Sequence, residues 1–161
     1  LLDQGIVKGD GGTLNLGDEI SRAEFLALLI RALGLEESPY QGGAADVAPE
    51  DWYAGIIQTA LDRGLAQGSG GFLRPEAPIT REEMAKMLVS ACVSIGIEAE
   101  DHGVGFTDGD AISEWAREPV AKAVQLGLIN GFEDCSFQPG AHTLREQAMV
   151  VIFRLLELVQ T

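Results

Sequence analysis

Apolar residues recur with helical spacing in three segments of the chain, and each segment begins at an arginine. The residues at the third, sixth and seventh positions after Arg22, Arg81 and Arg145 are all apolar. They are Phe25, Leu28, Leu29, Met84, Met87, Leu88, Ala148, Val151 and Ile152. This spacing predicts three α-helices, each with one buried face. The arginines are 59 and 64 residues apart, which indicates a repeated unit that buries its apolar face by stacking on its copies.

Capping signals mark the start of the first two of these helices. Ser21 with Glu24, and Thr80 with Glu83, have the spacing of a capping box. In this arrangement the hydroxyl accepts a backbone N–H while the acid reaches back to the cap. These four side chains are therefore predicted to be helix caps before they have any other role.

The third copy is irregular at the same place. Leu144 occupies the cap position and has no hydroxyl. We expect Thr143 with Glu146 to form a capping box displaced by one residue.

A second type of helix, which carries a tryptophan, precedes two of the arginine helices. Trp52 and Trp115 are 63 residues apart, in agreement with the arginine period. Gly64 and Gly127 follow these helices as expected left-handed caps. The predicted apolar stripes are Trp52, Ile56, Ala60, Leu61, and Trp115, Pro119, Val120, Ala123, Val124. The spacing thus favours a core position for both indole rings, with stacking on a ligand as the alternative.

The repeats divide the chain into three predicted units, 1–36, 44–97 and 104–159, which together form one compact module. The first unit is incomplete, since residues 1–5 match only the last turn of a tryptophan helix, residues 60–64.

The charge balance limits the classes of partner. The net charge of −14 repels nucleic acid and anionic lipid at long range. No apolar run approaches the roughly 20 residues that span a bilayer, so we expect no membrane insertion. An anionic ligand is expected to bind only where the few arginines converge.

Candidate chemistry for an enzyme is weak. The chain has no P-loop, no GxGxxG and no supported catalytic triad, so we expect neither catalysis nor a cofactor. Asp108, Asp110 and Glu114 hint at calcium but lack the EF-hand ligand ladder, so no metal site is predicted. Cys92 and Cys135 share no metal-ligand spacing; they are either two free thiols or one disulfide.

Several motifs in a fixed order resemble the S-layer homology (SLH) domain in its arrangement of three tandem copies. They cover nearly the whole chain apart from spacers near 36–43 and 97–104. The motifs are Phe106-Thr107-Asp108, Trp52 and Trp115, Gly5-Ile6-Val7-Lys8-Gly9, Phe137-Gln138-Pro139, and Ile20-Ser21-Arg22-Ala23-Glu24. The resemblance implies an all-α, pseudo-threefold module: the arginine helices form a central three-helix bundle, and the tryptophan helices and loops lie outside it.

The resemblance also implies a function. Members of the family anchor a larger surface protein noncovalently to the bacterial cell surface, outside the cell. They bind a secondary cell-wall polysaccharide, often pyruvylated, in grooves between copies. The candidate ligand-binding residues are Arg22, Arg81, Arg145, Ser21, Thr80, Glu24, Glu83, Trp52, Trp115, Asp46 and Asp108. A structural module for self-assembly or protein–protein contact is the alternative function.

The chemistry of the candidates agrees with an acidic ligand. A guanidinium matches a carboxylate in a planar, two-pronged way, and free N–H groups at a helix start favour anions. The alternative for each arginine is a structural ion pair with a neighbouring copy. Asp46 and Asp108 are expected to cap the tryptophan segments or, less simply, to accept sugar hydroxyls.

Overall fold

The computed structural model describes residues 15–68 and 70–160, and this part of the chain is helical. Its α-helices are α1 (Arg22–Ala32), α2 (Ala54–Asp62), α3 (Arg81–Ser94), α4 (Glu114–Gln125) and α5 (Arg145–Gln160). A 3₁₀ turn, Gly109–Ala111, precedes α4. In these two ranges there are only isolated β-bridges and no strand. The all-α prediction is confirmed; the glycine loop of the first copy, Gly5–Gly9, and the partial helix at 1–5 lie outside the described residues.

The three arginine helices form the centre of the molecule. Helices α1, α3 and α5 begin at Arg22, Arg81 and Arg145, as predicted. All nine predicted apolar positions on these helices are buried. Helix α1 contacts both α3 and α5, while α2 packs on α1 and α4 packs on α3. The predicted central bundle with peripheral helices is therefore confirmed; the boundaries of the three units stay predictions.

A closed ring of backbone hydrogen bonds marks the pseudo-threefold axis. Ile79 N–H donates to the carbonyl of Ile20 at 3.0 Å, Thr143 N–H donates to Ile79 at 2.9 Å, and Ile20 N–H donates to Thr143 at 2.9 Å. Each residue stands two positions before the arginine of its copy. The three chain segments are thus equivalent about one axis, and their alignment on the arginines is confirmed.

The helix starts are tied to neighbouring copies through their first N–H groups. Arg22 and Ala23 donate to the carbonyls of Ala77 and Pro75, at 3.0 and 2.8 Å. The same pattern recurs at the other two starts, in the bonds Arg81 to Ala141, Glu82 to Pro139, Arg145 to Asp18 and Glu146 to Leu16. Since these donors are occupied, the expectation that free N–H groups await an anion is wrong.

The predicted capping boxes are present in the first two copies. Ser21 and Glu24 bond reciprocally at the start of α1, as do Thr80 and Glu83 at the start of α3. These bonds satisfy backbone groups that the helices leave unpaired.

The displaced box predicted for the third copy is wrong. Leu144 N–H donates to Oε1 of Gln147 at 2.9 Å, so the box keeps its ordinary register and lacks only the hydroxyl half. Thr143 instead takes the axial position that Ile20 and Ile79 fill in the other copies. Its hydroxyl is buried and has no hydrogen-bond partner in the described part of the chain.

Replacing Thr143 by valine is expected to stabilise the protein by about 1 kcal/mol, because an unpaired buried hydroxyl costs free energy that an isosteric methyl does not. Urea unfolding followed by circular dichroism measures the change. Thr59→Val is the matched control, since the Thr59 hydroxyl donates to Gly55 O at 2.8 Å and accepts from Ser38 N at 2.7 Å. The free energy of unfolding of this control is expected to fall by about 1–2 kcal/mol. A Thr143→Val protein less stable than wild type contradicts this account.

The two cysteines are free and differ in environment. Cys92 is buried within α3, and burial raises the pKa of its thiol to about 11. Cys135 is exposed. None of the described helices is long and apolar enough to span a bilayer.

Candidate functional site

Two grooves run between neighbouring copies, each beside one motif arginine and one tryptophan. The larger, the Arg22 groove, has a volume of about 590 Å³ and lies between α3 and the loop at 64–68, with Trp115 at its edge. The smaller, the Arg145 groove, has a volume of about 260 Å³ and lies beside α1, with Trp52 at its edge.

One helical face forms the same side of both grooves. In the Arg22 groove it carries Glu83, Lys86, Met87 and Ser90 of α3. In the Arg145 groove it carries the equivalent residues of α1, namely Glu24, Ala27, Leu28 and Arg31. The shared i, i+3, i+4, i+7 spacing places each set on one face. The grooves are therefore two versions of one site, with different side chains at matching positions.

An ion pair between copies lies in each groove. The Arg22 guanidinium pairs with Glu83 of the second copy, and Arg145 pairs with Glu24 of the first. Nε of Arg22 also donates to the Leu73 carbonyl at 2.9 Å. Glu83 and Glu24 thus serve two purposes, since each also closes a capping box. The alternative interpretation, a structural ion pair with a neighbouring copy, is therefore confirmed for Arg22 and Arg145.

Arg81 has a different environment, because Gln147 stands where the other copies have glutamate. Arg81 is only 6% exposed. Nε donates to Phe137 O at 2.8 Å and Nη2 donates to Asn130 O at 2.9 Å. The guanidinium carbon lies 4.5 Å from the ring centroid of Phe132 and 4.9 Å from that of Phe137. Burial lowers the pKa of Arg81, and the Asp108 carboxylate opposes that shift. This geometry suits an internal brace rather than a ligand contact.

Both tryptophans are exposed, so the interpretation that favoured the core is wrong. Trp52 is 59% and Trp115 is 48% exposed. The core-facing positions beside them are taken by smaller side chains, including Tyr53 and Ala54 in one copy and Ala116 in the other. The indole faces are therefore available at the groove edges.

Asp46 clasps the loop that leads to the next arginine helix. Its carboxylate oxygens accept the N–H groups of Leu73 at 3.0 Å and Arg74 at 2.8 Å. Burial acts to raise the pKa of Asp46, but these backbone bonds outweigh it and the pKa lies below its usual value. The clasp fixes Arg74 in the left-handed region, with φ of 48°, where a non-glycine residue is strained.

Asp108 forms the same clasp in the third copy. It accepts from Phe137 and Gln138, both at 2.8 Å. Gln138 has φ of 57°. The bond from Phe137 N–H lowers the pKa of Asp108, burial opposes it, and the bond from Gln138 lowers it further. Neither aspartate caps a helix through its side chain, so the capping expectation is wrong, and both carboxylates are already occupied by backbone donors.

Acid is expected to weaken the fold through these two clasps. A carboxyl whose pKa is lower in the folded than in the unfolded state adds stability that is present above its unfolded pKa of about 3.8. This stability is lost as the pH falls through the folded pKa. The thermal midpoint should therefore change little from pH 7 to about 5 and fall below about pH 4. Circular dichroism melts at each pH measure it.

Asp108→Asn should lower the midpoint at pH 7 and reduce its fall in acid, because the amide does not titrate. Asp110→Asn, at an exposed carboxylate of the adjoining turn, is the control and should behave as wild type. Identical acid profiles for Asp108→Asn and wild type contradict the clasp.

The Arg22 groove carries local positive charge in a strongly acidic protein. Its lining has three cationic side chains, Arg22, Arg74 and Lys86, and one carboxylate, Glu83. This excess of two positive charges contrasts with the net charge of −14 for the chain. An anionic ligand is therefore favoured inside this groove, although the surface as a whole repels it.

Sequence reasoning missed several residues of the Arg22 groove. Lys86, Arg74, Phe72 and His142 line it, and none was a candidate. Lys86 follows the capping residue Glu83 by three positions, so the two side chains share one face of the helix. This spacing is the sequence signal that could have identified Lys86. Phe72 is exposed, because the adjoining Leu73 is the buried equivalent of Phe137.

Comparison with known proteins agrees with this architecture. The sequence pattern of the S-layer homology domain matches residues 45–85 and 105–149. An amylopullulanase of Thermoanaerobacterium thermosulfurigenes is 37% identical over 86% of this chain and 8% of its own length. The surface-layer 125 kDa protein of Lysinibacillus sphaericus is 32% identical over 99% of this chain and 14% of its own. A cellulosome-anchoring protein of Acetivibrio thermocellus is 26% identical over 91% of this chain and 34% of its own length. The chain thus spans about a third or less of the length of these relatives.

Proposed function

Because the chain belongs to the S-layer homology domain family, we propose that it is a non-catalytic module that anchors a larger protein at the bacterial cell surface. The proposed ligand is an acidic secondary cell-wall polysaccharide, probed first in its pyruvylated form. Support comes from relatives named as a surface-layer protein and a cellulosome-anchoring protein. The larger protein is the cargo of the module, and the polysaccharide is its attachment point.

The observation that carries this proposal is the pairing of an exposed indole with a positively charged groove. Trp115 stands at the edge of the Arg22 groove, and Trp52 stands at the edge of the Arg145 groove. An indole face offers an apolar surface on which the C–H face of a sugar packs. The cations beside it attract the carboxylate of a pyruvate ketal.

The Arg22–Glu83 pair suits the hydroxyl groups of the same sugar. No residue in the described ranges accepts from Nη2 of Arg22, so this nitrogen can donate to a ligand. The Glu83 carboxylate can accept hydrogen bonds from the sugar hydroxyls. Since the pair is held by the fold before the ligand arrives, little ordering is needed on binding. In the second groove Arg145 forms the equivalent ion pair with Glu24.

Not all the candidate residues enter this proposal as ligand contacts. Arg81 is assigned a bracing role, because its Nε and Nη2 donate to backbone carbonyls and its charge is buried. Ser21 and Thr80 are assigned to helix capping, and Asp46 and Asp108 to the loop clasps. The proposed contacts are therefore Arg22, Glu83 and Trp115 in one groove, and Arg145, Glu24 and Trp52 in the other.

The small share of an enzyme relative that matches this chain supports the proposal of a non-catalytic role. The amylopullulanase match spans 8% of that protein, so most of that enzyme lies outside the matched segment.

A pull-down with purified peptidoglycan–polysaccharide sacculi tests the proposal. The protein is expected to bind native sacculi and to lose most of its binding when the ketal pyruvate is removed. Binding should change little between about 0.05 and 0.3 M NaCl, because the contacts are local while the overall repulsion is screened. Equal binding to both sacculi, or loss of most affinity in moderate salt, contradicts it.

One observation favours self-assembly as a second candidate function. Val150 and Phe153 on α5 are 49% and 53% exposed, while the equivalent Ala27 and Ile30 of α1 are buried. An exposed apolar stripe of this kind suits contact with a second copy. Sedimentation velocity tests it: concentration-dependent association that Phe153→Ser removes supports self-assembly, and a monomer at all concentrations excludes it.

A further inference from the structure

A second cation stands in the Arg22 groove, apart from the arginine motif. Lys86 lies on α3 one turn beyond Glu83, and its Nζ is 5.2 Å from the ring centroid of Trp115. Among the described residues no carboxylate pairs with it, whereas Arg22 is already paired with Glu83. Lys86 is therefore a cation that contacts the exposed indole and has no carboxylate partner among the described residues.

We propose that Lys86 and Trp115 together form the subsite that receives the carboxylate of an acidic sugar, and that Lys86 decides whether this groove prefers acidic to neutral saccharide. This inference rests on the proposed function, since it concerns the same groove. It divides the recognition between two pairs: Arg22 with Glu83 for hydroxyls, and Lys86 with Trp115 for the charged substituent.

The chemistry of the Lys86–Trp115 pair fits this division. An ammonium group has three donors, and a contact with one indole face leaves donors free to meet a carboxylate. A cation–π contact at an exposed site is worth only about 0.5–1 kcal/mol. It therefore positions the ammonium group but is weak enough for that group to turn towards a ligand. A sugar ring can pack on the rest of the indole while its carboxylate meets Nζ.

The same position differs between the copies, which makes the inference specific to one groove. The residue equivalent to Lys86 is Ala27 in α1 and Val150 in α5. The Arg145 groove has Arg31 instead, one helical turn further along α1, at the position of Ser90 in α3. The carboxylate preference of the Arg22 groove should therefore depend on Lys86, while that of the Arg145 groove should not.

The test compares two small probes on the whole chain: a methyl aminosugar glycoside that carries a pyruvate ketal, and the same glycoside without it. The variants are Lys86→Met, which keeps the length but removes the charge, and Lys86→Arg, which keeps the charge. Lys122→Met is the matched control, because Lys122 lies on α4 and pairs with Glu118 away from both grooves. Two-dimensional NMR of the Trp115 indole N–H reports binding in this groove, and circular dichroism checks that each variant is folded.

Wild type is expected to bind the ketal probe at least tenfold more tightly than the ketal-free probe at Trp115. Lys86→Met should bring this ratio close to one without weakening the ketal-free probe, while Lys86→Arg and Lys122→Met keep the ratio. A folded Lys86→Met protein that keeps the wild-type ratio overturns the inference and leaves the proposed function standing. Wild type that binds neither probe nor sacculi overturns the proposed function and the inference with it.

Discussion

Replacing Arg81 by methionine is expected to lower the free energy of unfolding by about 3 kcal/mol. The buried guanidinium donates two hydrogen bonds to backbone carbonyls of the third copy, and hydrogen bonds to charged groups are worth about 1.5–3 kcal/mol each. Its contacts with the rings of Phe132 and Phe137 add to this. Methionine fills part of the space but leaves both carbonyls without their donor.

Urea unfolding measures this loss, and Arg154→Met is its control. Arg154 is half-buried and makes a single hydrogen bond of 3.2 Å to the Leu128 carbonyl. Its replacement should therefore lower the free energy of unfolding by about 1 kcal/mol or less. At a temperature where it is folded, Arg81→Met should still bind sacculi, because neither groove includes that side chain. Unchanged stability, or loss of sacculus binding by the folded variant, contradicts the bracing role.

A companion variant, Gln147→Glu, restores the carboxylate that the other two copies place opposite the motif arginine. It should keep the bond from Leu144 N–H and raise stability by up to about 1 kcal/mol, because the new charge meets Arg81. The gain should disappear in the Arg81→Met background, where no partner remains. A double-mutant cycle measures that coupling.

Replacing Arg22 by methionine is expected to weaken binding of a monovalent wall-glycan fragment to the Arg22 groove at least tenfold. Truncating one partner of a hydrogen-bonded charge pair typically costs about 2–5 kcal/mol, and about 1.4 kcal/mol is a factor of ten. The substitution removes the donor Nη2 and leaves Glu83 without its partner. The carboxylate then faces the ligand alone, which disfavours an anion.

A monovalent fragment is needed because two grooves on one polymer would mask the loss through avidity. Isothermal titration calorimetry gives the affinity. Arg117→Met is the control, because Arg117 lies on α4 in a separate depression beside Asp101 and Asp110. A folded Arg22→Met protein that binds the fragment as wild type does would show that this side chain is not part of the site.

The helices and their symmetry could be predicted from the sequence because local signals determine them. Each arginine helix starts at the predicted residue, and the capping boxes of Ser21 and Thr80 are formed. The apolar positions after each arginine share one phase, so burying them requires the copies to stack. Local pattern and global packing agree in these segments.

The bonding partners of each arginine side chain could not be predicted in the same way, because they belong to the neighbouring copy. Arg22 meets Glu83, whereas Arg81 faces the copy in which Gln147 replaces glutamate, and it turns to carbonyls and aromatic rings instead. The sequence contains this substitution, but not which copy stands opposite which arginine. That order comes from the ring of backbone bonds at the pseudo-threefold axis.

The exposed tryptophans were missed for a related reason. Trp115 lies on α4, but Trp52 lies two residues before the start of α2, so its predicted place on a helical stripe is wrong. In both copies the residues beside the tryptophan, Tyr53, Ala54 and Ala116, are the ones that face the core. A stripe assigned from periodicity alone does not separate its buried centre from its edge. The edge position is the one that lines a groove.

The most direct test of the central claim uses the two tryptophans, since the chain has two and each stands at the edge of one groove. Their indole N–H signals are followed by two-dimensional NMR while pyruvylated wall polysaccharide is added, with Trp52→Phe and Trp115→Phe for assignment. Saturable shifts of both signals are predicted, and ketal-free polysaccharide at the same concentration should shift them much less. If both signals stay unmoved while the protein still binds sacculi, the ligand lies elsewhere and the groove account is wrong.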